Sequence, residues 1–209
     1  QRADGSAEAE PLWHVDGENE VLSASRDGRY LVVRDDDGSG AEGMDLAVLD
    51  LNADSASLTA YLRADWGESQ GSISPDGRWM VYVSSESGDP EVYVRGFPEP
   101  RGQWRISDAG GRSPVWAPDG SAIYYVSADA DMVKVEVVTG ETLSVGTRSP
   151  LFDFTYDPGP LGNVGYDLHP DGDRFLVRGR LGTTGDPVGA VYLVVNWFEE
   201  LRARMGERD

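Results

Sequence analysis

The chain has 209 residues and a mass of 22.7 kDa, which suits one domain with a sizeable core. Its 37 acidic side chains outnumber 18 basic ones, so a formal charge of −19 repels the phosphates of nucleic acids and anionic membranes. The lack of cysteine excludes disulfides and thiolate metal sites, and no apolar run approaches the roughly 18 residues that membrane insertion needs.

The chain begins with a polar segment, residues 1–10, that we predict to be flexible, followed by "PLWHV" at 11–15, a predicted strand. The stretch "SRDGRYLVV" from Ser25 comes next, and similar stretches begin at Ser74, Ala117 and His169. Each contains Asp-Gly, which is typical of a tight turn with glycine at positive φ, before an apolar run suited to a strand buried on both faces. The predicted turn residues are Asp27, Gly28, Asp76, Gly77, Asp119, Gly120, Asp171 and Gly172.

The spacing of these turns indicates the fold. Successive turn aspartates lie 49, 43 and 52 residues apart, and each interval contains several short strands. This is the period of β-propeller blades, whereas repeats of helices would need apolar residues at helical spacing. We therefore predict an all-β propeller segment of about four blades with four antiparallel strands each, at residues 19–62, 66–107, 110–154 and 160–198.

The last blade is predicted to be incomplete. It supplies three strands, after which residues 199–209 are expected to form a short amphipathic helix and a tail. The apolar strand "AVYLVV" at 190–195 then becomes an edge that must be covered. We consider three partners for it: residues 11–15, N-terminal blades missing from this chain, or a second chain.

The repeats resemble a known family. The succession "SPDGRWMVYVSSESGDPEVYVRGFP", "WRISDAGGRSPVWAPDGSAIYYVS", "HPDGDRFLV" and "VVNWFEEL" is similar to the TolB-like, PD-repeat (WD-like) propellers of bacteria. The resemblance is closest to the propellers that follow the kinase domain of bacterial eukaryotic-like serine/threonine kinases, and it covers about residues 20–202. It implies a ring of more than four blades and an extracytoplasmic location, in the periplasm or cell envelope, with a cytoplasmic one as the alternative. The kinase motifs HRD and DFG are absent, so this segment is not expected to transfer phosphate.

Two short motifs suggest enzymes but lack the required context. Residues 67–71, "GESQG", match the G-x-S-x-G elbow of hydrolases, yet a turn and a strand follow Ser69 where an elbow needs a helix, so we assign them to an inter-blade loop. Residues 38–43 match G-x-G-x-x-G, but a strand follows there too, and the preceding aspartates would repel a phosphate. Neither motif predicts catalysis.

Metal and cofactor sites are not expected. The aspartates at 35–37, like Asp129 and Asp131, lack the spacing of a calcium loop, which favours solvated acidic loops over a weak ion site. The only histidines are His14 and His169, and they lack zinc-site spacing. We predict a structural role for His169 in its turn.

Aromatic residues and prolines on the connections are the predicted binding residues, because partners of a propeller contact its loops. The candidates are Trp66, Phe97, Pro98 and Tyr156. We therefore expect a non-catalytic binding or scaffolding module for a protein, peptide or envelope ligand. The alternatives are the accessory propeller of a serine peptidase, a small glycosidase propeller, and a self-associating structural module.

Overall fold

The structure is a computed structural model that describes residues 18–36, 44–53, 58–156, 165–172, 174–180 and 191–194. Sheet 1 contains β1 (Glu18–Ala24), β2 (Tyr30–Asp36), β3 (Asp45–Asp50) and β4 (Leu58–Leu62). Sheet 2 contains β5 (Glu68–Ile73), β6 (Trp79–Ser84), β7 (Glu91–Gly96) and β8 (Trp104–Arg105). Sheet 3 contains β9 (Gly111–Trp116), β10 (Ala122–Ser127), β11 (Asp131–Thr139) and β12 (Leu143–Asp153). Sheet 4 contains β13 (Thr155–Tyr156), β14 (Tyr166–Leu168), β15 (Phe175–Arg180) and β16 (Val191–Val194).

The first hairpin of each sheet closes through the predicted turn. In sheet 2, the Ser74 hydroxyl donates to Asp76 at 2.5 Å and accepts the backbone N–H of Trp79 at 3.0 Å. Gly77 has φ of 71°, a left-handed conformation that glycine adopts without a steric penalty. The equivalent glycines of the other three turns also have positive φ: Gly28 at 73°, Gly120 at 75° and Gly172 at 79°.

The second strand of sheet 2 shows how the sheets pack. All six residues of β6 are buried, which confirms that its uninterrupted apolar run is covered on both faces. Met80 and Tyr82 lie in a cluster with residues of sheet 1, whereas Val81 and Val83 lie in a cluster with residues of sheet 3. Because side chains alternate along a strand, one short strand contributes to two cores.

Three apolar clusters join the four sheets in chain order. Sheets 1 and 2 share a core around Val32, Leu46, Met80 and Tyr82. Sheets 2 and 3 share one around Val81, Val92, Ile123 and Val135. Sheets 3 and 4 share one around Tyr124, Met132, Phe154, Tyr166 and Phe175. Antiparallel sheets stacked in this way are the blades of a partial β-propeller, so the predicted fold class is confirmed.

Sheet 4 departs from the prediction in one respect. Three of its strands were expected, and the structure adds β13, which pairs with the end of β15 through Thr155–Arg180 and Tyr156–Gly179. β15 also pairs with β14 and with β16. The region between the third and fourth units, expected to be a connection, therefore supplies a short strand.

Some predictions fall on residues that the structure does not describe. These are the flexible segment 1–10, the strand at 11–15, the loop at 38–43 and the helix at 199–209, all of which lie outside the described residues. Within the described part of the chain, no helix is long and apolar enough to cross a membrane.

We expect Gly77→Ala to lower the free energy of unfolding by about 1 kcal/mol, because an L-residue is disfavoured at this positive φ. The space beside Gly77 is open, so the conformation alone should set the cost. Gly140→Ala is the matched control, since its added Cβ would meet only the Thr142 carbonyl at 3.7 Å and its φ is not in the left-handed region. Urea denaturation measures both variants, and equal losses would contradict the conformational explanation.

Candidate functional site

The structure separates the predicted binding residues between opposite ends of sheet 2. Trp66 lies on the connection that leads into β5, at the end where β6 turns into β7. Phe97 and Pro98 follow β7 on the turn into β8. Antiparallel strands place these two connections at opposite ends of the sheet, so the candidates do not form one site.

Phe97 belongs to the core, contrary to its assignment as a loop residue available to partners. Its side chain is 7% exposed and lies in the cluster between sheets 1 and 2. The ring packs edge-on against Tyr30, with the centroids 5.2 Å apart, and also contacts Tyr61. The buried ring therefore fills the end of the core beside the turn from β7 to β8, and it does not form a binding surface.

The other two candidates have different surroundings. Pro98 is exposed and lines a cavity of about 370 Å³ together with Trp79, Trp104 and Glu141. Tyr156 was expected on a loop, but its backbone belongs to β13 and pairs with Gly179 of β15. Among the candidates whose side chains are described, Trp66 is the exposed aromatic ring, and charged groups surround it.

Hydrogen bonds hold the connection that carries Trp66. Gly67 donates its N–H to the Ser85 hydroxyl at 3.2 Å, and the Ser85 N–H donates to the Gly67 carbonyl at 3.1 Å. The N–H of Glu68 donates to the Met44 carbonyl at 2.7 Å, which fastens the start of β5 to sheet 1. The Trp66 side chain remains 40% exposed although the backbone on its C-terminal side is fixed at two points.

A cavity of about 490 Å³ opens beside Trp66, between sheets 1 and 2, and we call it the Trp66 pocket. It is lined by Leu62, Arg63, Ala64, Asp65, Trp66, Glu68, Tyr82, Glu86 and Arg95. These residues come from the end of β4, the connection after it, the strands of sheet 2, and the loop between β6 and β7. An aromatic ring, acids and guanidinium groups therefore meet at one junction between blades.

Glu68 is the unusual group of the pocket. Its side chain is 3% exposed, and Oε2 has no hydrogen-bond partner among the described residues. Burial, with a smaller contribution from the Asp45 carboxylate, raises the pKa of Glu68 to about 7, although the hydrogen bond from the Trp66 indole opposes the rise. A buried carboxylate oxygen without a donor is costly, so it is a feature that the fold alone would not favour.

The guanidinium groups of the pocket have other partners. Arg63 Nε donates to Asp45 Oδ2 at 2.7 Å, and Arg63 Nη2 lies 3.5 Å from Asp35. Arg95 Nε donates to the Tyr82 hydroxyl at 2.9 Å, and Arg95 Nη2 donates to Gln103 Oε1 at 2.9 Å. Neither arginine is recorded within hydrogen-bonding distance of Glu68 Oε2 in the described structure.

The next junction of the repeat shows which residues are peculiar to this pocket. When the Asp-Gly turns of sheets 2 and 3 are aligned, Ala109 takes the place of Trp66 and Gly111 takes the place of Glu68. A Cβ at Gly111 would lie 2.9 Å from the Tyr125 ring, so that junction is filled where the Trp66 pocket is open. The two junctions thus share a fold but not this cavity chemistry.

Arg95 is also specific to the Trp66 pocket. It pairs with Met80 in sheet 2, whereas the equivalent pair in sheet 3 joins Ile123 to Val135. Val135 is fully buried in an apolar core. A blade of this repeat can therefore pack with an aliphatic residue at this position, and packing does not require the arginine found at position 95.

A second cavity, of about 530 Å³, lies where the innermost strands meet. Every sheet contributes to it, through residues of β1, β5, β9 and β14. Its charged groups include Glu20 and Arg34, which form an ion pair at 3.1 Å, and Asp167. This axial cavity shows that the four inner strands converge as in a propeller. Its two opposite charges pair with each other, although Nε of Arg34 is buried without a hydrogen-bond partner among the described residues.

The hydrolase-like motif lies in a strand. Residues 68–71 belong to β5, where Ser69 pairs with Val83, so the expected inter-blade loop is wrong. A bulge with Gln70 at φ of 54° interrupts the pairing, and its Oε1 accepts the backbone N–H of Ser113 at 2.6 Å. The chain continues as strand to Ile73, and no helix follows Ser69 as a nucleophile elbow requires.

His169 and the acidic residues also have defined surroundings. His169 accepts the backbone N–H of Asp171 at 3.2 Å within its turn, a structural contact. Asp131 has a raised pKa because it is partly buried and pairs with Asp153 of β12. In the part of the chain that the structure describes, no three acidic or histidine side chains are arranged to hold a metal ion.

Trp66 was predicted from the sequence as a binding residue, whereas Glu68, Tyr82 and Arg95 were not. Glu68 belongs to the motif that was assigned to a loop, and Tyr82 lies in an apolar run that the sequence predicts to be a strand buried on both faces. The usable signal was the comparison of repeats, in which an acid stands where the next unit has glycine. The contact between Glu68 and the Trp66 indole depends on the strand beginning at residue 68, which the pattern did not predict.

Comparison with known proteins supports the fold. No protein-family model matches the chain, and no curated protein matches it in sequence. Among solved structures it is similar to TolB from Acinetobacter baumannii, with a TM-score of 0.61 and 18% identity over 92% of this chain and 47% of that one. An oligogalacturonate lyase in complex with manganese has a TM-score of 0.59 and 14% identity over 92% of this chain and 55% of that one.

The β-propeller domain of Cps50 (Swd1) from Myceliophteria thermophila has a TM-score of 0.52 and 12% identity, over 91% of this chain and 62% of that one. These likenesses show a TolB-like β-propeller fold. They do not indicate a common function, because the sequence identities are too low. The chain spans about half the length of the TolB structure.

The stability of the protein should depend on pH through Glu68. The pKa of Glu68 is raised to about 7 in the folded protein, above the ordinary value of a glutamate. Folding therefore becomes less favourable as the pH rises from that ordinary value to about 7. Glu68→Gln keeps the shape of the neutral acid and should be more stable than the wild type by on the order of 2 kcal/mol near pH 8. The difference should shrink toward pH 5. Thermal unfolding across this range measures it, and a constant difference would contradict the raised pKa.

Proposed function

We propose that this chain is a non-catalytic binding module of the TolB-like propeller type, and that the Trp66 pocket contacts a protein or peptide partner. The observation that carries the proposal is the pairing of a half-exposed indole with a buried, incompletely bonded carboxylate at Glu68. Indole rings contribute strongly to protein interfaces, and a desolvated acceptor gains most from a donor that a partner brings.

The repeat supports recognition over a structural role for the pocket. The next junction folds with Ala109, Gly111 and Val135 at the equivalent positions, so tryptophan, glutamate and arginine are not required to build a blade. Unneeded polar groups at a buried junction reduce stability unless they serve another purpose.

The absence of catalysis is also part of the proposal. Ser69 lies near the start of β5, where it pairs with Val83, whereas the elbow geometry would need it on a sharp turn between a strand and a helix. One similar structure is a lyase by name, but its low identity to this chain supports only the common fold. The accessory propeller of a peptidase or a glycosidase propeller remains the alternative, and no contact in the described residues favours it.

The chain is proposed to be one part of a larger ring. It spans 47% of the similar TolB chain, and its four described sheets stack in chain order. We propose that further blades, or a second chain, complete the ring, and that the whole protein is a sensor of the cell envelope linked to a kinase. The sequence resemblance to kinase-associated propellers supports this context.

Selection of peptides tests the binding function. A phage library of random peptides is panned on the immobilised protein near neutral pH, and the affinities of selected peptides are measured by fluorescence polarisation. Trp66→Ala should weaken them by at least about tenfold, the loss of a central aromatic contact. Val138→Ala is the matched control, because Val138 is an apolar side chain that is 71% exposed on β11, away from the pocket.

The outcomes separate the possibilities. Peptides that bind the wild type and the control equally, and Trp66→Ala weakly, would support the proposed site. Failure to enrich any peptide, or equal binding to all three proteins, would contradict a peptide-binding role for the Trp66 pocket.

A further inference from the structure

We propose that the Trp66 pocket recognises a cationic side chain, lysine or arginine, of the peptide partner. This inference rests on the proposed function and specifies the chemistry of the same site. The group that receives the cation is the unpartnered Oε2 of Glu68, on a side chain that is 3% exposed and lines the pocket.

The hydrogen-bonding pattern of the pocket favours a donor. Glu68 offers an acceptor oxygen, and Oδ1 of the neighbouring Asp45 is also buried without a partner among the described residues. The ammonium of lysine and the guanidinium of arginine carry several N–H donors and no acceptor. A partner bringing such a group would supply the hydrogen bond that the protein itself leaves unmade.

The charges around the pocket favour a cation over a neutral donor. Arg63 is engaged by Asp45 and Asp35, so its charge is largely compensated. The lining then retains Asp65, Glu68 and Glu86 against Arg95. This surplus of acids, on a protein with a formal charge of −19, attracts cations and disfavours anionic ligands.

Trp66 adds a second contact of the same kind. Its ring lines the cavity and is 40% exposed, and its indole N–H is directed to the Glu68 carboxyl group. A cation over the face of an indole is attracted by the ring quadrupole, an interaction that strengthens when the site is partly desolvated. The methylene chain of lysine or arginine would cover the ring at the same time.

Binding should be linked to pH through the charge of Glu68. The groups that face it are Asp45 from β3, Tyr82 from β6, Glu86 from the following loop and Arg95 from β7, with Trp66 on the connection. Burial is the main cause of the raised pKa of Glu68, and a bound cation would favour its ionised form. The affinity should therefore fall by about tenfold between pH 8 and pH 6, as the carboxylate is protonated.

Nuclear magnetic resonance of the tryptophan indole groups provides the test. The protein has six tryptophans, so the Trp66 indole signal can be assigned from its disappearance in Trp66→Phe. The probes are N-acetyl-lysine methylamide and its uncharged counterpart of similar shape, N-acetyl-norleucine methylamide. Only the lysine probe should shift the Trp66 signal in a saturable way, and the shift should weaken at lower pH.

Two carboxamide variants make the test specific. Glu68→Gln should abolish the pH dependence and weaken binding of the lysine probe by about tenfold near pH 8, because its side chain carries no charge. Glu99→Gln removes a carboxylate at the opposite end of sheet 2, beside Pro98, and should leave the titration unchanged. Equal shifts with the norleucine probe, or no shift with either probe, would each overturn the inference.

The selected peptides distinguish this inference from the proposed function. Peptides that depend on Trp66 and are enriched in lysine or arginine would support both. Dependence on Trp66 without a basic residue would retain the peptide-binding function and refute the cationic ligand. Peptide binding that ignores Trp66 would refute the location of the site itself.

Discussion

The structure depends on the burial of the middle strands of sheets 2 and 3, each of which lies between two neighbouring sheets. In β6, alternate side chains enter the cores on either side, and all six residues are buried. A fully buried valine or methionine contributes about 1.5–3 kcal/mol relative to exposure, so each such strand stabilises two junctions at once. A sheet of this kind is not stable alone, because both of its apolar faces would remain in water. The sheets therefore stack on one another in chain order.

The Trp66 pocket exists because one junction departs from this rule. Sheets 1 and 2 share an apolar core around Met80 and Tyr82, but the end of that junction beside the loop from β6 to β7 carries Trp66, Glu68 and Arg95. The core supplies the stability, and the hydrogen bonds of the adjoining loops fix the geometry. Polar groups can then be held in a costly arrangement without loss of the fold, as binding sites generally require.

The fold was largely predictable and the site was not. The four Asp-Gly turns were predictable because glycine at positive φ is a local requirement, and it is observed at Gly28, Gly77, Gly120 and Gly172. Their spacing indicated blades because it depends on short strands and turns that are also visible in the local sequence. Phe97 was misassigned since a turn residue can point into a core, which depends on neighbouring sheets rather than on local pattern. Glu68 escaped notice because its burial results from sheet 1 packing over the start of β5.

We propose that the Trp66 pocket serves recognition and not folding, and the double variant Trp66→Ala with Glu68→Gln separates the two roles. Its thermal unfolding and its binding of the selected peptides are measured near pH 8. The destabilisation from losing a partly exposed ring should be offset by removal of the buried charge, which stabilises the fold by about 2 kcal/mol. We therefore expect a melting temperature no lower than that of the wild type, together with the loss of peptide binding. A strongly destabilised protein, or one that still binds the peptides, would contradict it.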